Sequence, residues 1–230
     1  LLLWLRVVAR RSRSLGHTSR RQQAVEQTTL CSDELVVIVL SARENQARRD
    51  AIRRTWGKDV FFVVGSGHDS LKEANLIEAP WPESYHTLPQ KLQFAMQYVT
   101  QNCTTSTAKW ILKVDDDMYV RIPQIREMLK LLDSSTPMAI GRILRHQPVQ
   151  IAGKWTETAY SQPVYPLFPQ GSCGYLVSRP VVEYVANHEN LKFYQGEDTS
   201  LGIWLDESAL DVVWMDSPFF VNDGDCMRHS

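Results

Sequence analysis

Long apolar runs are missing from this sequence. Its 230 residues hold no stretch of about 20 apolar residues of the kind that spans a bilayer. The nearest candidate, Leu1 to Val8 (LLLWLRVV), is short and broken by Arg6. It reads equally as the trailing end of a membrane anchor followed by a basic stem, or as a frayed basic tail. Cysteine is scarce too: Cys31, Cys103, Cys173 and Cys226 are far apart, with no CxxC pair, so the usual spacing of a structural zinc site is absent. Four cysteines allow three pairings, and the sequence does not choose among them. No internal repeat is visible. Net charge is almost absent, at −1. Six arginines (Arg6, Arg10, Arg11, Arg13, Arg20, Arg21) precede the first acid, Glu26, so residues 22–230 carry 19 cations against 26 acids. An acidic body is a poor match for nucleic acid, which needs a basic footprint.

What is present is globular. Hydrophobic residues make up 43% and charged residues 22%, which excludes a disordered chain, a collagen-like rod and a coiled coil. A domain of this size buries roughly 70% of its unfolded surface and needs neither metal nor disulfide to be stable. Residues 1–30 are polar, rich in Arg and Gln and without apolar period, and read as a stem or linker. Residues 31–230 read as one domain.

Leu35 to Leu40 (LVVIVL) is a continuous apolar run, the pattern of a strand covered on both faces. Ala47, Ala51 and Ile52 then recur at helical spacing, and Val60 to Val64 is a second strand closed by Gly65-Ser66-Gly67. Leu92, Ala95, Met96 and Val99 predict a helix starting near Pro89. Trp110 to Val114 predicts a third strand. Ile125, Met128, Leu129 and Leu132 predict a helix with Pro123 in its first turn, and Met138 to Ile143 a further strand. Residues 145–172 show little period and read as a long ordered loop of the sort that carries function. Gly174 to Ser178 predicts a strand, Pro180 opens a helix through Val181, Val185 and His188, Leu201, Trp204 and Leu205 mark a helix after Asp198, and Val212 to Met215 is a last strand. Strands alternating with helices predict an α/β fold with one mostly parallel central sheet.

The strongest chemical signal is Lys113-Val114-Asp115-Asp116-Asp117-Met118-Tyr119-Val120. Three adjacent carboxylates repel one another, and here apolar residues flank them. They stand at a strand's carboxyl end, where open α/β sheets bind ligands. If the strand persists, Asp115 and Asp117 share one side and Asp116 takes the other. Paired hard oxygen ligands suit Mn²⁺ or Mg²⁺. An EF-hand is excluded, because the sixth loop position lacks glycine. A solvated turn is the plainer alternative. A second signal is Glu197-Asp198, before an apolar helix: Asp198 is either an N-cap or a general base. A third is Arg48-Arg49-Asp50-Ala51-Ile52-Arg53-Arg54, either a phosphate grip or a solvated helix face. Trp155, Tyr160, Tyr165 and Phe168 are either a sugar platform or packing anchors. Asn102-Cys103-Thr104 fits the N-glycosylation pattern.

Taken together, these segments resemble the inverting β-1,3-galactosyltransferase family (glycosyltransferase family 31). The marks are LVVIVL, then RRDAIRRTWG, Pro89-Gln90-Lys91, KVDDDMYV, Tyr165-Pro166-Leu167-Phe168, GSCGYLVS over 171–178 and Glu197-Asp198-Thr199-Ser200-Leu201-Gly202, in the family's order. The resemblance implies a GT-A-type nucleotide-binding sandwich, a UDP-sugar donor, and Mn²⁺ or Mg²⁺ as cofactor. It implies that Asp115, Asp116 and Asp117 form the DxD motif, with Asp117 and Asp115 on the metal and Asp115 and Asp116 toward the donor. It implies Asp198 as catalytic base and Arg49, Arg53 and Lys91 as basic positions near the donor. It further implies galactose or an N-acetylhexosamine passed to a glycan or glycoprotein, and a type II Golgi membrane protein with its catalytic domain in the lumen. The segment between Phe168 and Tyr175 is about one residue longer than the family's, and Cys173 stands where glycine is common. Family members continue to a histidine that helps hold the metal. His229 is a candidate, and the expectation is that the true one lies past Ser230, the chain being truncated. Two other classes stay open: a nucleotide-sugar or glycan-binding protein without turnover, and a metal-dependent phosphohydrolase.

Overall fold

The computed structural model describes residues 33–69 and 71–221. The elements are β1 (Leu35–Leu40), α1 (Gln46–Arg54), β2 (Phe61–Ser66), β3 (Leu76–Pro82), α2 (Leu88–Asn102), β4 (Trp110–Asp115), α3 (Ile122–Leu129), β5 (Met138–Gly141), β6 (Ile143–Leu144), β7 (Phe168–Pro169), β8 (Tyr175–Ser178), α4 (Arg179–Asn187), α5 (Glu197–Asp206) and β9 (Val213–Asp216). Seven strands form one sheet in the order β3-β2-β1-β4-β8-β5-β9, and β6 pairs with β7 in a small second ladder. Pairings β1–β2, β2–β3, β1–β4 and β5–β9 are parallel, whereas β8 runs antiparallel to both β4 and β5. This is a GT-A-like α/β sandwich around a largely parallel sheet.

Period-two alternation decides the layers. In β1, Val36, Ile38 and Leu40 point into one core with Leu92, Met96 and Val99 of α2, Val181 and Val185 of α4, and Leu201 and Trp204 of α5. Leu35, Val37 and Val39 point into the other, with Ile52 of α1, and Ile125 and Leu129 of α3 packed against it. All six β1 residues are buried, as a strand covered on both faces requires.

From β1 the chain winds through β2 and β3, then crosses back to β4 on the other side of β1. The crevice between the carboxyl ends of β1 and β4 is therefore a topological switch point, where such sheets bind ligands. It holds the three aspartates.

Several elements depart from the sequence expectations. Strand β3 carries Pro80 and Pro82, which conceal it from a propensity reading, but it is an edge strand, where proline is tolerated. The single strand expected over 138–143 is two, separated at Arg142. The long loop over 145–172 is tied down by β7 against β6 and by a bridge between Pro148 and Val164. The last long helix begins at Glu197, so Asp198 lies inside its first turn and Gly196 is the N-cap residue. Cys103 is disulfide-bonded and Cys173 is a buried free thiol. The anchor or stem of residues 1–30 and the His229 candidate lie outside the described residues, among which no helix is long and apolar enough to cross a membrane.

Candidate active site

Strand β4 ends at Asp115, and the following residues turn away instead of continuing the alternation. The three aspartates consequently face three environments. Asp116 is buried: its Oδ2 accepts from Ser41 Oγ at 2.7 Å and Asn45 Nδ2 at 2.8 Å, and its Oδ1 from Arg48 Nη1 at 2.8 Å. It thereby fixes the turn after β1. Asp117 has 63% of its side chain exposed, with one long contact, 3.4 Å from Arg48 Nη1. Asp115 lies on the same strand face as Lys113, whose Nζ is 2.8 Å away, and borders the main cleft.

Lys113 is the charge at the floor. It is 1% exposed, and its Nζ also reaches Glu197 Oε1 at 2.5 Å and the Gly171 carbonyl at 3.3 Å. Burial opposes its charge, yet Asp115 and Glu197 together lift its pKa well above the ordinary lysine value. Three carboxylates (Asp115, Glu197 and Asp198) share this one ammonium. Burial pushes the pKa of each upward, with Lys113 only partly offsetting it.

Asp198 is held by two backbone amides: Gly171 N donates to Oδ2 at 2.8 Å and Thr199 N to Oδ1 at 2.8 Å. A Cβ on residue 171 would lie 2.6 Å from Glu197 Oε1 and 2.9 Å from Asp198 Oδ2, so only glycine permits this approach. Gly174, at φ +70°, turns the chain from there into β8.

Above this floor is a cavity of about 570 Å³, within the range of small-ligand sites. Asp115, Glu197 and Asp198 line it together with Tyr85, Trp155, Tyr165 and Phe168. Tyr85 and Trp155 meet edge to face at 5.6 Å, with the Lys154 ammonium over both rings. Trp155 is 47% exposed at the mouth, whereas Tyr165 and Phe168 are buried wall residues, also edge to face. Tyr160 stands behind this wall, stacked on Tyr165.

The structure does not bring every basic candidate to the cavity. Arg49 is 0% exposed, bidentate to Glu73 at 2.7 and 2.9 Å. Arg53 donates to the same carboxylate at 3.0 Å and lies over the Phe62 ring. Arg49 and Arg53 hold Glu73 below its ordinary pKa, and neither lines the cleft. Lys91, 1% exposed, ties α2 to the end of β1 through Ser41 O at 2.8 Å and Glu83 Oε1 at 2.6 Å, and burial lowers its pKa. Asn102 closes α2, its Nδ2 donating to Tyr98 O at 2.7 Å. Sequence reasoning passed over the roles of Lys113 and Gly171, and it offered Arg48 as a phosphate grip or a solvated face, not as the partner of Asp116. The signal for Lys113 was a lone cation within WILKV, two residues from Asp115 and so on its face.

The family model described as galactosyltransferase matches residues 47–216, which contain β4, the Gly171 turn and the Glu197-Asp198 helix start. The chain belongs to the galactosyltransferase family (glycosyltransferase family 31). Relatives agree. The UDP-GalNAc:beta-1,3-N-acetylgalactosaminyltransferase 2 of Danio rerio is 34% identical over 60% of this chain and 28% of its own length. The hydroxyproline O-galactosyltransferase GALT2 of Arabidopsis thaliana is 28% identical over 74% of this chain and 28% of its own length. The beta-1,3-galactosyltransferase 5 of Mus musculus is 28% identical over 74% of this chain and 62% of its own length. The chain thus spans less than a third of the first two relatives. Membership supports a glycosyltransferase-type reaction for this galactosyltransferase-family chain.

Among the described residues no group of three His, Cys, Asp or Glu side chains stands ready to hold an ion. Asp115 and the largely exposed Asp117 are nevertheless hard carboxylates at the switch point, the ligand type that an ion of the Mg²⁺ type takes. Such ions use one or two protein carboxylates and take further ligands from substrate phosphates and water.

Proposed function

We propose that the chain transfers galactose or an N-acetylhexosamine from a UDP-sugar to a hydroxyl of a glycan or glycoprotein, inverting the anomeric centre and forming a β-1,3 linkage. The observation that carries this reading is Asp198. It lines the 570 Å³ cavity, is oriented by two backbone amides, and is raised in pKa by burial. A carboxylate made more basic is suited to take a proton from an acceptor hydroxyl. The relatives' names supply the substrate class.

In this mechanism the acceptor sugar sits against Trp155, Tyr165 and Phe168, whose rings match the apolar face of a pyranose. Its hydroxyl points at Asp198. Asp198 takes the proton as the oxygen attacks the anomeric carbon from the face opposite the nucleotide, which inverts that centre, as in inverting glycosidases. Asp115 stands toward the donor, whereas Asp116, expected there too, is buried against Ser41, Asn45 and Arg48 and supports the site from behind. Asp117 and Asp115 are the residues that would hold Mn²⁺ or Mg²⁺, which when bound offsets charge on the departing diphosphate. Lys113 pairs with Glu197 and Asp115 and so offsets the negative charge that stands beside Asp198. Lys91 and Asp116 lock the turn after β1 against the ends of α2 and β4.

The same reading makes the protein a type II membrane protein of the Golgi, with residues 31–230 as its lumenal catalytic domain and Asn102 as a glycosylation acceptor. The deciding experiment is a calorimetric titration of UDP with and without Mn²⁺, followed by transfer assays with UDP-galactose and the UDP-N-acetylhexosamines. Metal-dependent UDP binding with turnover supports the proposal. Metal-dependent binding without transfer to any hydroxyl acceptor indicates a binding protein. Phosphate release from simple esters without UDP binding indicates a phosphohydrolase.

A further inference from the structure

A second cavity, of about 610 Å³, lies behind the aromatic wall of the first. The 159–162 loop, the end of α4, the 190–194 segment and the end of α5 enclose it. It is as large as the main cleft, and its chemistry differs. Tyr160, Tyr184 and Tyr194 present their rings, and none of their hydroxyls makes a hydrogen bond among the described residues. Asp206 and Glu207 add two exposed carboxylates, also without a hydrogen bond or ion pair there. The one lysine of the lining, Lys192, is committed: it donates to Ala159 O at 2.6 Å and lies over the Tyr194 ring.

We propose that this cavity is a second glycan-binding site, which takes neutral sugars on Tyr160, Tyr184 and Tyr194 and hydrogen-bonds their hydroxyls through Asp206 and Glu207. Aromatic rings offer apolar faces to pyranose C–H groups. Paired carboxylates accept from adjacent hydroxyls, and hydrogen bonds to charged groups are the stronger kind. The same carboxylates repel phosphates and acidic sugars, and Lys192 sets one positive charge against their two. The lining therefore favours a neutral sugar over a UDP moiety, and the site is distinct from that for the donor.

The two cavities are in mechanical contact. Tyr160 of the second stacks on Tyr165 of the first at 5.7 Å with an interplanar angle of 8°. Tyr160 also meets Tyr194 edge to face at 5.5 Å. The buried Glu157 accepts from Tyr160 N at 3.1 Å and Gln195 N at 2.7 Å, and so clamps the loop of the second cavity to the segment entering Gly196-Glu197-Asp198. The neutral sugar could come from the distal part of a long acceptor or from a separate glycan chain. The inference is independent of transfer, since it concerns binding in the absence of donor.

The test is a ¹⁵N–¹H spectrum of the whole chain titrated with lactose and with di-N-acetylchitobiose, with glucuronic acid as anionic control. The expected result is perturbed amides over residues 159–162 and 188–194 with a neutral sugar and none there with glucuronic acid. The double variant Asp206→Lys/Glu207→Lys places cations at the carboxyl end of α5, where the helix dipole favours them, so folding is retained. It should weaken neutral-sugar binding at these amides by about tenfold or more and admit glucuronic acid. Shifts confined to residues 147–155 and 195–199, no shifts with either neutral sugar, or shifts unchanged by the charge reversal would each overturn the proposal. Trp155→Ala separates the sources: a long acceptor spanning both cavities loses affinity, whereas a separate glycan binds as before.

Discussion

Lys113 and Glu197 are 84 residues apart in sequence and 2.5 Å apart in space. Their contact joins the strand that presents the aspartates to the helix that presents Asp198. It is also the cavity floor's main electrostatic support, because Lys113 is the single cation among three carboxylates. Removing one partner of a buried pair costs far more than the pair contributes, since the other charge is left unpaired. Lys113→Met should therefore destabilise the protein by about 3–5 kcal/mol in chemical denaturation. Adding Glu197→Gln should recover part of that loss. A double variant no more stable than Lys113→Met would mean that Asp115, not Glu197, is the partner that matters.

Asp198→Asn should lower transfer by about 10²–10⁴-fold, the usual contribution of a general base. UDP affinity should stay nearly unchanged. Weakened UDP binding would point to a structural role at the helix start.

The same variant has a pH signature. Burial raises the Asp198 pKa in the folded state, so the folded protein binds this proton more tightly than the unfolded chain does. The Asp198 contribution to stability is then fullest at acid pH and falls as pH rises from the ordinary aspartate range, about 3.9, through the raised folded value. The Asn variant lacks this loss. Thermal melts should therefore shift in its favour from acid to neutral pH. In parallel, the acid limb of the wild-type kcat/KM profile should lie above the ordinary aspartate range. An acid limb at or below that range would remove Asp198 from the role of base.

Gly171→Ala probes the geometry without touching a charge. Its new Cβ would lie within 3 Å of both Glu197 Oε1 and Asp198 Oδ2 and force at least one carboxylate aside. Displacing a catalytic group by about an ångström can cost about 10²-fold. The expected outcome is a loss of that size in kcat with a near-normal circular dichroism spectrum. Full activity would show that the carboxylates shift without consequence.

Arg49 and Arg53 separate folding from binding. Arg49→Met leaves the buried carboxylate of Glu73 with Arg53 as its remaining partner, and should cost about 1–3 kcal/mol of stability, the penalty of lost hydrogen bonds to a charged group. Arg53→Gln, at a partly exposed site outside the cleft, should leave UDP affinity within about twofold, a difference of only a few tenths of a kcal/mol. A tenfold loss in calorimetry would return Arg53 to the donor site.

The sheet was legible wherever burial imposed a simple period. LVVIVL reads as a doubly covered strand and is β1 residue for residue. The Leu92–Val99 spacing after Pro89 is the buried face of α2. Strand β3 was not legible, because its prolines contradict strand propensity and only its place at the edge explains them. At the site, the acid triplet was visible as a repulsive cluster that needs a reason. Its division among three environments was not, because that depends on where β4 ends. The arginines of α1 could not be sorted by sequence either, since Glu73, the carboxylate that claims Arg49 and Arg53, comes from a loop 24 and 20 residues away. Gly171 gave no local signal, as its role lies in two carboxylates from a helix 27 residues further along.

The prolines of β3 also bear on solubility. Pro80 and Pro82 lie on a strand that ends the sheet, and each removes an N–H that another strand could pair with. Glu78 adds an exposed charge to the same strand. At the opposite end, β9 has only four residues. A seven-stranded sheet with two open margins would invite strand addition by a second copy. Among the described residues one margin is chemically blunted and the other is short, which disfavours growth of the sheet by strand addition.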